Sequence, residues 1–318
     1  MPTPVFLTVD IEIMWRHHAA GLDPATLFER SFEPAGVGLS YQLEMLRRYN
    51  LKGSFFVDPI PALIYGLDPF RRVIDAIQSA GQHVDLHLHP NWTNIAKGDH
   101  QGSLSRFHLS DYDFNEQLSL IEKARDLLVA AGALPPVAFR GGNYAGNDDT
   151  LAALATLGFD YDSSHNGSVH PHPSGIGLPA RQIAPIARGG VIEVPVTLIE
   201  ERQGALRHFQ ICALSVDEMR AALDHAVDQD HAVVTIVSHG FELANRAGTR
   251  PNAVHVRRFD MLCALLDERR DVLPTQHFAD RPELRLGQDD TPLHPNITRL
   301  RWRQAEQLWS NMVSERAL

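Results

Sequence analysis

Two cysteines, Cys212 and Cys263, are all that the 318 residues contain. That excludes a disulfide framework, and both sit in apolar segments, so they read as buried free thiols in a reducing compartment. No window approaches the ~18 uninterrupted apolar residues of a membrane-spanning helix, so no span is expected. Residues 1–12 (MPTPVFLTVDIE) lack a positive stretch followed by an apolar one. They do not read as a signal peptide, and a cytoplasmic protein is expected. Long basic runs are missing too, and the net charge of −10 with a pI near 5.9 argues against nucleic acid or an anionic membrane as partner. There is no GxSxG elbow, phosphate loop or dinucleotide fingerprint. No repeat of 20–50 residues and no low-complexity tract stands out.

What is present is ordinary globular composition, 44% hydrophobic and 21% charged, in a chain long enough for one large barrel or two domains. Residues 4–10 (PVFLTVD) form an apolar run ending in acid, the look of a buried strand with a functional C-terminal end. Glu12 lies two residues beyond Asp10 and so on the same face. Further strands are expected at 52–57, 83–89, 136–140, 159–163, 191–196, 232–238 and 272–275. Helical periodicity or capping signals mark 38–49, 70–80, the stretch from 113 to about 128, 148–157, 215–228 and 254–269. Residues 91–112 read as a long loop. Strand–helix alternation repeated seven to eight times predicts a parallel α/β architecture, and a (β/α) barrel gathers function at the C-terminal ends of its strands. Asp10, His87, His89, Arg140, Asp162 and His239 all fall at or just past such ends.

The histidine strand is the centre of the pattern. In Asp85-Leu86-His87-Leu88-His89-Pro90, the two imidazoles share a face with Cα atoms about 6.6 Å apart. They can reach one ion, and Pro90 stops the strand where a loop can begin. Two histidines and a carboxylate with open coordination positions suit a hydrolytic metal site, with a divalent ion and zinc as the default. A bound metal lowers the pKa of its water and polarises a carbonyl. Asp10 or Glu12 can supply ligand and base, Arg140 can hold the base ionised, and His239 can supply the acid. Asp85 reads as a hydrogen-bonding support for a histidine. The loop histidines His17, His18, His100, His108, His170 and His172 read as solvent-facing.

The order of these motifs resembles the polysaccharide deacetylases of the NodB homology type, a distorted (β/α)7–8 barrel, from about residue 4 to residue 277. Thr8-Val9-Asp10-Ile11-Glu12 resembles the family's first motif, usually TFDD. Residues 81–90 resemble the second, in which two histidines bind metal. Phe139-Arg140-Gly141-Gly142-Asn143-Tyr144 resembles the Arg-bearing third. Residues 192–196 and Ser238-His239 are similar to the late strands. The resemblance implies Asp10 as general base, Arg140 as its partner, His239 as general acid, and His87 and His89 as ligands. Three positions differ. The histidines are spaced H-x-H rather than H-x3-H, so either or both could be ligands. Ile11 replaces the second aspartate, which leaves Glu12 as the carboxylate ligand. Gly142-Asn143 replaces the proline of the third motif.

The reading is therefore a barrel over 1–282 with a helical C-terminal extension over 283–318. It is a metal-dependent hydrolase removing an N-acyl group from a carbohydrate or sugar conjugate. Catalysis is assigned to Asp10, His239 and Arg140, metal binding to Glu12, His87 and His89, and substrate contacts to Trp92, Tyr144 and Asp162, where aromatic rings could stack on sugar. Two rival readings are a metal-independent hydrolase of a small amide and a sugar-binding relative without catalysis. The extension, with Trp302 and Trp309, could pack on the barrel or pair two subunits.

Overall fold

Side-chain parity along the strands organises the molecule. The computed structural model describes residues 2–99 and 105–315; His100, one of the histidines expected in solvent, lies outside them. The strands are β1 (Val5–Ile11), β2 (Gly53–Val57), β3 (His83–Leu88), β4 (Ala138–Gly141), β5 (Tyr161–Asp162), β6 (Ile186–Arg188), β7 (Val191–Glu193), β8 (Leu198–Arg202), β9 (Ala205–His208) and β10 (Val234–His239). On β1, Val5, Leu7, Val9 and Ile11 join the large apolar core beneath the helices, as do Phe55 and Val57 on β2 and Val84, Leu86 and Leu88 on β3. The alternate residues turn inward. Near the bottom of the barrel these are apolar, with Phe6, Phe56, Ala138 and Tyr161 in a second, smaller cluster with Phe278. Phe278 stacks on Phe6 with ring centroids 4.0 Å apart and plugs that end. Towards the C-terminal ends the inward positions become Thr8, Asp10, His87 and Arg140, all buried.

The sheet runs β10-β1-β2-β3-β4-β5-β7-β6, parallel throughout except for the antiparallel β6–β7 pair. Right-handed crossovers through helices are the expected way to join such strands, and helices follow most of them. The two edges do not pair directly. Irregular backbone closes the gap: Val196 N–H donates to His165 O (3.0 Å), Thr197 N–H to Thr235 O (3.1 Å) and Ile211 N–H to Val237 O (3.2 Å). The barrel is accordingly distorted, as expected. The β8–β9 hairpin stands outside the main sheet.

Most expected elements occur within two or three residues of their predicted bounds. The strand expected at 272–275 does not form. Pro274 cannot donate to a ladder, and the segment makes a single bridge, Val5 with Thr275. Residues 91–112 are not all loop, since Asn91–Ala96 is a helix. The tail helix, Ile297–Val313, is docked through buried Ser310, which exchanges hydrogen bonds with Asn252 (2.9 and 3.1 Å), and through an Arg258–Glu306 ion pair at 3.1 Å. Among the described residues, no helix is long and apolar enough to cross a membrane.

Candidate metal centre and catalytic groups

Parity carries Glu12, His87 and His89 to one spot. Their ligand atoms all lie within 4.8 Å of one another. Glu12 Oε2 is 3.3 Å from His87 Nε2 and contacts His89 Nε2 directly. The donor set fits a divalent ion on two observations. His87 Nδ1–H donates to Arg140 O (2.8 Å), which fixes the tautomer and leaves Nε2 as a lone-pair donor. His89 Nε2 is buried against the Glu12 carboxylate, so one ion between them would be reached by both groups. Burial opposes ionisation of Glu12, yet His89 and His87 hold it well below the usual carboxylate range. Burial likewise opposes charge on His89, but Glu12 lifts it to about 9.

Gly142 explains part of the third motif. A Cβ there would come 2.5 Å from His89 Nδ1, so the ring lies flat against backbone that only glycine permits. Asn143 and Tyr144 follow with φ of 56° and 61°. Consecutive left-handed residues that are not glycine cost roughly 1–3 kcal/mol each and cluster at functional sites.

Asp10 and Arg140 form a fully buried pair. Arg140 Nη1 donates to Asp10 Oδ1 (2.7 Å) and to Thr8 Oγ1 (2.8 Å), while Nε and Nη2 hold the Ser163 carbonyl and hydroxyl at 3.1 Å. The guanidinium lies 4.4 Å over the Phe56 ring. Asp10 Oδ2 is left facing His239 Nε2 at 3.9 Å. β1 and β10 pair Asp10 with His239 in register, so the two are neighbours by ladder geometry.

Behind His239 stands Glu242, a residue the sequence reading did not single out. Its carboxylate is 3.5 Å from His239 Nδ1 and accepts from the backbone of His239 (3.0 Å), the backbone of Cys212 (2.7 Å) and Gln210 Nε2 (2.9 Å). Burial works against the charge on each, but the pairing prevails: Glu242 is held down to about 2 and His239 raised to about 9. The signal available was Glu242 three residues past a strand-end histidine. Asp58 was not singled out either. It is fully buried, with Oδ1 accepting from Ile60 N (3.0 Å) and Oδ2 unpartnered. Burial raises it to about 6 although His89 and His87 pull it down. It continues the inward parity of Ser54 and Phe56.

Several expectations need correction. Asp162 is not at the surface of the mouth: it is fully buried, accepts from Ser164 Oγ (2.7 Å), and pairs with buried Glu193. Asp162 Oδ2 and Glu193 Oε2 both lack a donor. Burial, then Asp162, pushes Glu193 well above the carboxylate range. Trp92 is 2% exposed, wedged edge-on between Trp15 (5.2 Å) and His18 (4.9 Å). It is a wall residue, not an open stacking platform. Tyr144 is half-buried, its ring 5.7 Å from that of His208 and its hydroxyl without a hydrogen-bond partner among the described residues. His17 is buried rather than solvent-facing, and His18 bonds the Tyr65 hydroxyl at 2.7 Å. Asp85 does support a histidine by hydrogen bonding, namely His83 (3.3 Å from Nδ1), and it also accepts from Ala138 N (3.0 Å).

Two lobes open at this mouth. One, of about 280 Å³, is lined by Glu12, His89, Trp15, Trp92, Phe107 and Asn143. The other, of about 380 Å³, is lined by Gln210, His239, His255, Asn245, Gln307 and Asn311. Met14, Arg16 and Phe241 border both.

No family model and no curated protein matches the chain. Solved structures do. A Mycobacterium smegmatis protein provisionally assigned to the polysaccharide deacetylases aligns at TM-score 0.54 and 18% identity, over 100% of this chain and 93% of that one. A 4-α-glucanotransferase from Thermococcus litoralis aligns at TM-score 0.51 and 9% identity, over 89% of this chain and 39% of its own. A family 4 carbohydrate esterase from Streptomyces lividans aligns over 92% and 98% at 12% identity, but at TM-score 0.45 it carries no weight. At these identities the likeness shows the fold alone, so function must be argued from the site. The chain shares the fold of the Mycobacterium smegmatis protein, a distorted (β/α) barrel.

Proposed function

We propose that the chain is a divalent-metal-dependent hydrolase that cleaves the C–N bond of an N-acylated carbohydrate or sugar conjugate. The observation that carries this reading is the placement of an acid–base pair beside a ligand cluster. Asp10 Oδ2 and His239 Nε2 face each other at 3.9 Å, close enough to the Glu12, His87 and His89 cluster for Asp10 to act on the charge of His89 and Glu12 on that of His239.

Glu12, His87 and His89 would hold the ion, which when bound supplies Lewis acidity to a carbonyl and acidity to a water. The chain's own groups supply the rest. Arg140 occupies Asp10 Oδ1 and orients the carboxylate, which leaves Oδ2 to take a proton from the attacking water. His239, held as imidazolium by Glu242, gives its Nε2 proton to the nitrogen as the C–N bond breaks. Water's oxygen ends on the acyl carbon as a carboxylate, and the amine leaves. Asp10 and His239 then exchange the proton difference with solvent.

The test is acid release from N-acetylated sugars by protein stripped with chelator and reloaded with zinc. Asp10→Asn and His239→Ala should each lose about 10²–10⁴-fold in turnover while retaining zinc by elemental analysis. Glu12→Ala and His87→Ala should lose the zinc itself. Full turnover by stripped protein would remove the metal from the reading, and full turnover by His239→Ala would remove the acid.

A further inference from the structure

The larger lobe holds more than the acid–base chemistry requires. His255, 8% exposed, lies on its wall. His255 Nδ1–H donates to Glu242 O (2.9 Å), so Nε2 is the acceptor nitrogen, and it is buried with no partner among the described residues. An unmet buried acceptor costs roughly 1–3 kcal/mol, and a ligand hydroxyl in the lobe would meet it. The outer rim comes from the C-terminal segment, through Gln307, Asn311 and Glu315. That segment is held in place. Glu315 accepts from Arg246 N (2.9 Å), Ser310 is locked to Asn252, and Glu306 pairs with Arg258. Gln307 Nε2 donates to Asn311 Oδ1 (3.1 Å), which leaves the Gln307 carbonyl and the Asn311 amino group for a ligand.

Chemistry decides which part of a substrate enters. His239 protonates the departing nitrogen, and His239 lines this lobe, whereas Glu12 and His89 line the other. Whatever the nitrogen carries must therefore extend past His239 into the lobe ringed by His255, Gln307 and Asn311. Its volume, about 380 Å³, is near the lower end of small-ligand pockets, ~300–1,000 Å³.

We propose that this lobe is the leaving-amine subsite, that it takes a compact polyhydroxylated amine of one or two sugar rings, and that the C-terminal helix sets this limit by forming its rim. The inference rests on the reading of the site as an N-acyl sugar hydrolase.

Two measurements test it. The first is kcat/KM of zinc-loaded protein on N-acetylglucosamine oligomers of increasing length. It should not rise beyond the dimer; a rise of tenfold or more from dimer to hexamer, as an open groove would give, overturns the proposal. The second is calorimetric binding of D-glucosamine to zinc-loaded protein and its variants. Asn311→Trp, on an exposed helix position, should fill the rim and weaken binding at least tenfold with zinc content unchanged. His255→Phe should do the same, and His255→Gln, which keeps an acceptor, should restore part of the loss. Glucosamine binding that is undetectable in the wild type, or unchanged in Asn311→Trp, overturns the subsite. If no acylated sugar of any length is hydrolysed yet glucosamine binds in an Asn311-sensitive way, the hydrolase reading falls and the subsite stands. If all lengths are hydrolysed alike and Asn311→Trp changes nothing, the reverse holds.

Discussion

Replacing Glu242 by Gln should lower the pH at which His239 loses its proton, and the size of the change can be worked from the structure. Burial alone would push His239 below its ordinary 6.5, yet it is raised to about 9. Glu242 at 3.5 Å and Asp10 at 3.9 Å are the nearest causes. A carboxylate within 4–6 Å shifts a partner by about 1–3 pH units. With Asp10 retained, the part belonging to Glu242 is about 1–2 units, or roughly 1.4–2.7 kcal/mol. A general acid must be protonated, so the alkaline limb of the rate profile should move down from near 9 to about 7–8. At pH 8.5 the variant should then be about 3–25-fold slower than wild type from this cause alone, and near parity at pH 6. Gln keeps the shape but turns one acceptor into a donor facing backbone N–H groups, which should cost about 1–3 kcal/mol of stability. The assay is the His239 ring titration by NMR on histidine-labelled, zinc-loaded protein, assigned with His239→Ala, alongside the rate profile. A folded variant whose His239 titrates as in wild type would refute the reasoning. The same pair sets a stability window. The contribution of His239 is full below about 6.5 and lost as pH rises through about 9, while that of Glu242 is present above 4.5 and lost as pH falls through about 2.

Gly142→Ala would place a methyl 2.5 Å from His89 Nδ1, so zinc affinity should fall about 10–100-fold, measured by competition with a chelating dye; unchanged affinity would show that the loop yields freely. Arg140→Met leaves Asp10 buried without its cation and should cost about 3–5 kcal/mol in urea unfolding. Adding Asp10→Asn to it should recover part of that loss, and strict additivity of the two would deny the coupling. Glu193→Gln should change stability by less than about 1 kcal/mol at pH 7, because burial and Asp162 already favour its neutral form, which accepts from His165 N. A large loss there would mean that Glu193 is ionised in the fold.

The sequence by itself determined the strand pattern and with it the site's first ring. Period-two parity on PVFLTVD and on the histidine strand places Asp10, Glu12, His87 and His89 inward whatever the rest of the chain does, because a one-residue slip would bury the charges among the helices. Arg140 and His239 were legible as strand-end residues for the same reason. The tertiary structure alone decided which of these touch. The pairing of β1 with β10 puts Asp10 beside His239, and no local signal in either strand states that register. Glu242 and Asp58 lie just past strand ends, and burial beside the histidines is what distinguishes them from loop acids. Asp162 looked like its neighbours in sequence, yet the packing of β5 against β7 turned it to Glu193 and away from the mouth. The lobe behind His239 is beyond any reading of the motifs, since its rim comes from a helix near the C-terminus that reaches the site only through side-chain docking.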